Sequence, residues 1–140
     1  QNAANAYVTA PAVDQRQVNE MVRGLASDLP AGADLGKAAA WLELNGGGTI
    51  SITSSHNIKS VTDLGTGYYE VYFAIPFKSR NYVAVGSNGQ TNNDYMVAFY
   101  KQTNKDVRKS IEWSSTKAST AALVDSGQMW CAFFGELENE

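Results

Sequence analysis

Residues 40–53 read AWLELNGGGTISIT, two alternating apolar runs joined through three consecutive glycines. Trp41, Leu42 and Leu44 open the first run, and in the second Ile50 and Ile52 alternate with Thr49, Ser51 and Thr53. A period of two is what a strand with one buried face requires, so the stretch predicts a β-hairpin. Asn45-Gly46 carries tight-turn chemistry, because glycine reaches positive φ at little steric cost. Gly47 and Gly48 then add slack or a bulge. The stretch is also a boundary: before Ala40 the apolar spacing is helical, and after it the spacing is two.

Downstream, YYEVYFAIPF (residues 68–77) sets Tyr69, Val71, Phe73 and Ile75 on one face and Tyr68, Glu70 and Tyr72 on the other. NYVAVG, DYMVAFY, KSIEW and QMWCAFFG follow, separated by turn clusters such as DLGTG, SNGQTNND and STKAST. Pro76 marks a strand end, since it cannot donate to a ladder. Short strands at this spacing, with no helical pattern between them, predict a mainly β fold. Its form is an antiparallel β-sandwich, jelly-roll-like, over residues 37–140.

Upstream, VDQRQVNEMVRGLASDLPAG (residues 13–32) spaces Val18, Met21, Val22, Leu25 and Leu29 for one helical face. Asp14 can cap this helix, with Gln17 three residues on and Val13 stapled against Val18. Pro30 and Gly32 end it. A helix of this length holds poorly alone. It needs either its own β domain or the same helix from sister chains, with Val18, Met21, Val22 and Leu25 as the seam of a short coiled-coil neck. Residues 1–36 are therefore read as helical neck and linker.

Bulk properties exclude several classes. The 140 residues carry a formal net charge of −3, so no basic field exists to hold nucleic acid or an acidic membrane surface. No apolar run approaches the ~18 residues of a membrane span. The chain begins at Gln1 with no signal-peptide pattern, which suggests a piece of a longer protein. Its single cysteine, Cys131, cannot form an internal disulfide, and a four-ligand Cys/His zinc site is out of reach. No cofactor or metal is expected.

Catalytic motifs are missing from the pattern. His56, the one histidine, reads as a polar strand-surface or loop residue without triad partners. Cys131 lies in the apolar run MWCAFF and reads as a small core hydrophobe. The carboxylates Asp63, Glu70, Asp94, Asp106, Glu112 and Asp125 are scattered, although glycoside cleavage needs two of them across a cleft at roughly 5 to 10 Å. GTGYYE and NGGGT are glycine turns outside the strand-to-helix context of phosphate loops. The amide-rich loop GSNGQTNNDY is the candidate receptor-binding segment, through Asn88, Gln90, Asn92, Asn93, Asp94 and Tyr95. Amides beside an aromatic suit sugar hydroxyls and a pyranose face; the same residues also build ordinary hairpin loops. Tyr68 and Tyr72 can contact a ligand or a neighbouring subunit.

Taken together, AWLELNGGGTISITSSHNIKSVTDLGTGYYEVYFAIPFKSRNYVAVG and the closing VDSGQMWCAFFG resemble the C-terminal, distal domain of bacteriophage tail fibres. The matching positions are Ala40-Trp41, Asn45-Gly46, Asn57 to Asp63, Gly65-Thr66-Gly67, Tyr69, Val71, Phe73, Asn81-Tyr82-Val83, Val85-Gly86 and Phe134-Gly135. Gly47 stands where that family usually has Thr, and Leu44 where it usually has Phe. The resemblance spans residues 40 to 135 and is loose from 87 to 127. It implies a homotrimeric β-structure at the end of a virion fibre, extracellular and joined to the rest of the fibre. Such a domain touches a host-cell surface glycan or protein during adsorption and is not an enzyme. Two other readings stand beside it: a structural trimerisation or capping domain, and a polysaccharide depolymerase fragment.

Overall fold

In the computed structural model, which describes residues 15–19, 36–89 and 94–140, the 40–53 stretch forms β1 (Ala40–Asn45) and β2 (Ser51–His56). Ala40, Leu42 and Leu44 alternate inward and are buried, with Trp41 turned out, whereas β2 is exposed along its whole length, Ile52 included. Leu44 pairs with Ile52 and Asn45 with Ser51, with a bulge between Glu43 and Leu44. The turn has the slack expected of Gly47 and Gly48, but the positive φ expected at Gly46 falls on Gly48 instead. Residues 46–50 form a wider loop in which the Gly47 N–H donates to Asn45 Oδ1 at 2.9 Å. Gly48 supplies the positive φ, 64°, in open space. Gly46 answers to packing: a Cβ there would lie 2.4 Å from Tyr69 Oη and 2.7 Å from Met129 Cε.

The chain continues through β3 (Ile58–Gly65), β4 (Tyr68–Phe73), β5 (Val83–Asn88), β6 (Tyr95–Tyr100), β7 (Ser110–Lys117), β8 (Ala122–Leu123) and β9 (Met129–Phe134). One sheet has the order β2-β1-β9-β5, and the other β3-β4-β7-β6 with β8 added to β7. All these strand pairs are antiparallel. The protein is thus a mainly β sandwich, within a compact unit spanning Asp34–Glu140. Its connectivity departs from the expected jelly-roll order. A jelly roll passes from sheet to sheet at most steps, whereas here β1–β2, β3–β4, β6–β7 and β7–β8 are neighbours in one sheet. Short loops favour such local pairings, because closing them costs little entropy.

The core lies between the sheets and is largely aromatic. Phe133 of the first sheet meets Phe73 and Phe99 of the second edge-on, with ring centroids 5.1 and 5.8 Å apart. Phe73 continues the chain of rings to Phe77 at 4.9 Å, and Phe77 stacks on Tyr82 at 4.1 Å. Tyr69 and Trp113, 5.4 Å apart, fill the other end. Such offset and edge-to-face pairs add to the stabilisation from area burial. Asn57 takes φ 54° at the corner where the chain leaves the first sheet. Its side-chain amide clasps Ile75, accepting from the Ile75 N–H at 2.7 Å and donating to its carbonyl at 3.1 Å.

In β4, Tyr69, Val71 and Phe73 are buried inward, and Tyr68, Glu70 and Tyr72 occupy the opposite face, as expected. Ile75 falls beyond the strand end. Of the expected neck, residues 15–19 form a helical segment with Val18 exposed. Met21, Val22 and Leu25 lie outside the described residues, and the described segment gives a coiled-coil neck no support.

Candidate functional site

Alternation gives each sheet an outer face as well as an inner one. In the first sheet, the burial of Leu42, Leu44, Met129, Cys131 and Phe133 turns Trp41, Glu43, Trp130 and Ala132 outward. The strand registers align these in two rows. One runs His56–Trp41–Ala132–Val85, the other Ser54–Glu43–Trp130–Ser87. The two tryptophans are diagonal neighbours, 39% and 40% exposed.

Their rings lean apart. Trp41 stacks against His56, with centroids 6.4 Å apart and planes at 25°. Trp130 lies over Gly89, where a Cβ would come within 2.4 Å of its Cη2. Between them opens a groove of about 490 Å³, lined by both indoles, Glu43, Ser54, Val85 and Ser87 among others. Glu43 Oε1 accepts from Gln128 Nε2 at 3.0 Å. Val83 and Val85, on edge strand β5, are 59% and 49% exposed.

The outer face of the second sheet is built differently. Glu70 and Glu112 stand directly opposite each other on β4 and β7 and are both buried. Like charges so placed repel. The loop of residues 101–109 resolves this by laying Lys105 over them. Its Nζ donates to Glu70 Oε2 at 3.1 Å and Glu112 Oε1 at 2.7 Å. Ser110 Oγ donates to Glu70 Oε1 at 2.8 Å, Tyr68 Oη donates to Glu112 Oε2 at 2.8 Å, and Gln102 Nε2 donates to the same oxygen. Burial pushes the Glu112 carboxyl up, but the donors Lys105, Gln102 and Tyr68 outweigh it and hold the pKa below its ordinary value. Hydrogen bonding to Glu112 and then Glu70 raises the Lys105 pKa. The gap beside this cluster has no volume even for a water molecule. It is a closed ionic knot rather than a cleft. Farther along, Tyr68, Tyr100 and Leu123 border a shallow depression of about 310 Å³.

The other carboxylates singled out from sequence hold turns. Asp63 Oδ1 accepts from the Gly65 N–H at 3.0 Å, and Asp106 is bound by the Arg108 guanidinium at 2.8 Å. Asp125 Oδ1 accepts from the Gly67 N–H at 2.8 Å and from Tyr69 Oη at 3.0 Å. Asp94 accepts from the Ser119 N–H at 2.9 Å, pinning the turn after β7. In the amide-rich loop, Asn88 closes β5 and donates from Nδ2 to Ser115 Oγ at 2.9 Å, tying the sheets together. Tyr95 opens β6, paired with Lys117. Gln90, Asn92 and Asn93 lie outside the described residues. The loop is thus anchored at both ends by residues expected to bind a receptor.

Cys131 is buried, and burial raises its thiol pKa, as suits a core residue. Among the described residues, no three His, Cys, Asp or Glu side chains gather to hold a metal ion. The sequence reading did not single out Trp41 and Trp130 as site residues. The usable signal was alternation along β9: with Met129, Cys131 and Phe133 inside, Trp130 falls outside. An apolar run on both faces conceals that difference. No family model, curated protein or solved structure matches the chain.

Proposed function

We propose that the chain is the distal domain of a bacteriophage tail fibre, which forms a homotrimer and binds a host-cell surface receptor, a glycan, during adsorption. The observation that carries this reading is the outer face of the first sheet, where two half-exposed tryptophans sit among Glu43, Ser54 and Ser87. Exposed aromatic area with a polar surround marks a recognition surface. The resemblance of residues 40–135 to tail-fibre tips supports the setting: a virion fibre outside the cell, with the shaft as covalent partner. The domain acts by adhesion, not by bond cleavage. Two measurements test it together. Mass in solution should be three times the 15.1 kDa chain mass, and the purified protein should compete with phage for adsorption. A monomer that never competes would sink the proposal.

A second reading, a structural cap of the fibre, is favoured by Val83 and Val85 exposed along an edge strand, which suit coverage by a sister chain. Under it, substitutions at Asn92, Asp94 and Tyr95, and on the tryptophan face, leave adsorption unchanged in an intact trimer. A depolymerase would need two carboxylates across an open cleft. The Glu70–Glu112 pair is closed by Lys105 and offers none.

A further inference from the structure

From the groove on the first sheet we infer a specific site: the space between Trp41 and Trp130 binds one or two rings of a neutral pyranose glycan, held by stacking on indole and by hydrogen bonds to Glu43. The inference rests on the adhesive reading and moves its contact point away from the 88–95 loop.

The argument is one of shape and chemistry. A pyranose presents C–H bonds on its faces and hydroxyls around its rim. A matching site therefore needs flat apolar walls with acceptors and donors set between them. The two indoles lean apart, Trp41 toward His56 and Trp130 over Gly89, and so leave walls rather than a closed stack. Ala132, the small residue opposite Trp41, keeps the floor low between them. The groove volume of about 490 Å³ falls within the range of small-molecule clefts, roughly 300 to 1,000 Å³.

Polar groups lie in one row across the floor. Ser54, Glu43 and Ser87 come from three strands in register with Trp130, and each can meet a rim hydroxyl. Gln128 fixes the Glu43 carboxylate through Oε1, and among the described residues its Oε2 has no hydrogen-bond partner. Among the described residues, no lysine or arginine lines the groove. Beside Glu43, an acidic sugar would be repelled, so the ligand class is neutral hexose or N-acetylhexosamine. The same carboxylate argues against a dry contact with a sister chain, which would bury it without a cation. A sugar hydroxyl instead donates to it.

The test uses the full chain on an array of neutral hexose and N-acetylhexosamine mono- to tetrasaccharides. A retained glycan is then titrated while the three indole N–H signals are followed by NMR. Trp41 and Trp130 should shift, and Trp113, fully buried, should not. Trp41→Ala and Trp130→Ala should each weaken binding roughly tenfold, with Trp130→Phe recovering part of it as a folding-neutral control. Glu43→Gln should weaken binding less. The inference is overturned if no neutral glycan is retained, if binding survives both alanine variants, or if those variants change the oligomeric mass. Adsorption competition separates the two proposals. Competition that persists in the tryptophan variants removes this site and leaves the adhesive reading standing. A wild-type chain that does not compete removes the adhesive reading itself.

Discussion

The outer faces of the two sheets obey the same period-two rule and reach opposite ends. On the second sheet the outward residues include two glutamates in direct register, and the 101–109 loop folds over them with Lys105 and Gln102. Each charged oxygen there has a donor, and no space remains. On the first sheet the outward residues are Trp41, Glu43, Trp130 and Ala132, and no described segment of the Asp34–Glu140 unit lies over them. A covered polar face shows polarity used for stability. A half-exposed aromatic face leaves apolar area in water, which folding alone does not favour. The contrast teaches that burial, more than residue type, separates structural chemistry from recognition here.

The sharpest way to break this comparison is along a single strand. Phe133→Ala removes the ring that joins the sheets and should lower stability by about 3 to 5 kcal/mol. Trp130→Ala, on the outward side of the same strand, should cost no more than about 1 kcal/mol. Urea midpoints measure both. An equal loss at the two positions would mean that the tryptophan face is covered in solution.

The ionic knot should announce itself through pH. Glu112 has a lowered pKa in the folded state, so its contribution is present above the ordinary value of 4.5 and fades as pH falls through the folded value. Lys105 has a raised pKa, so its contribution is complete below 10.5 and fades as pH rises through the folded value. Glu112→Gln should flatten the acid limb of stability against pH. Lys105→Met should lower the whole plateau, because two facing carboxylates lose their counter-ion. Trp41→Ala should leave the acid limb and the plateau in place. Urea midpoints taken from pH 3 to 11 (about one-unit steps) distinguish these outcomes.

A smaller effect lies at the loop end of the core. Tyr69→Phe deletes the hydrogen bond to Asp125 and should cost about 1 kcal/mol. The smallest is His56→Ala, which should change stability by less than about 0.5 kcal/mol while altering Trp41 fluorescence. Fluorescence unchanged by that substitution would mean that the exposed stack does not persist in solution.

Much of the sandwich is legible in the residues themselves. The inward sets Leu42–Leu44 and Tyr69–Val71–Phe73 follow from alternation and turn chemistry, because a strand's two faces are a local property of the backbone. The candidate site was less legible. Amide-rich composition drew the binding assignment to residues 88–95, where Asn88 and Asp94 turn out to brace the framework. Trp130 was hidden inside MWCAFF, since a run that is apolar on both faces does not reveal which of its residues stay in water.

Local pattern therefore sufficed for a β-rich chain and for the inward faces of β1 and β4, but not for β2, which is exposed along its length, nor for the ends of β3 and β7, which run into DLGTG and STKAST. Partnership did not follow from it. That β1 lies beside β9, that Glu70 meets Glu112 under Lys105, and that Trp41 and Trp130 wall one groove depend on contacts between residues 35 to 93 positions apart in the chain, although Lys105 itself is seven residues from Glu112. Periodicity tells a side chain which way to point. Only the packing of distant strands determines what it finds there.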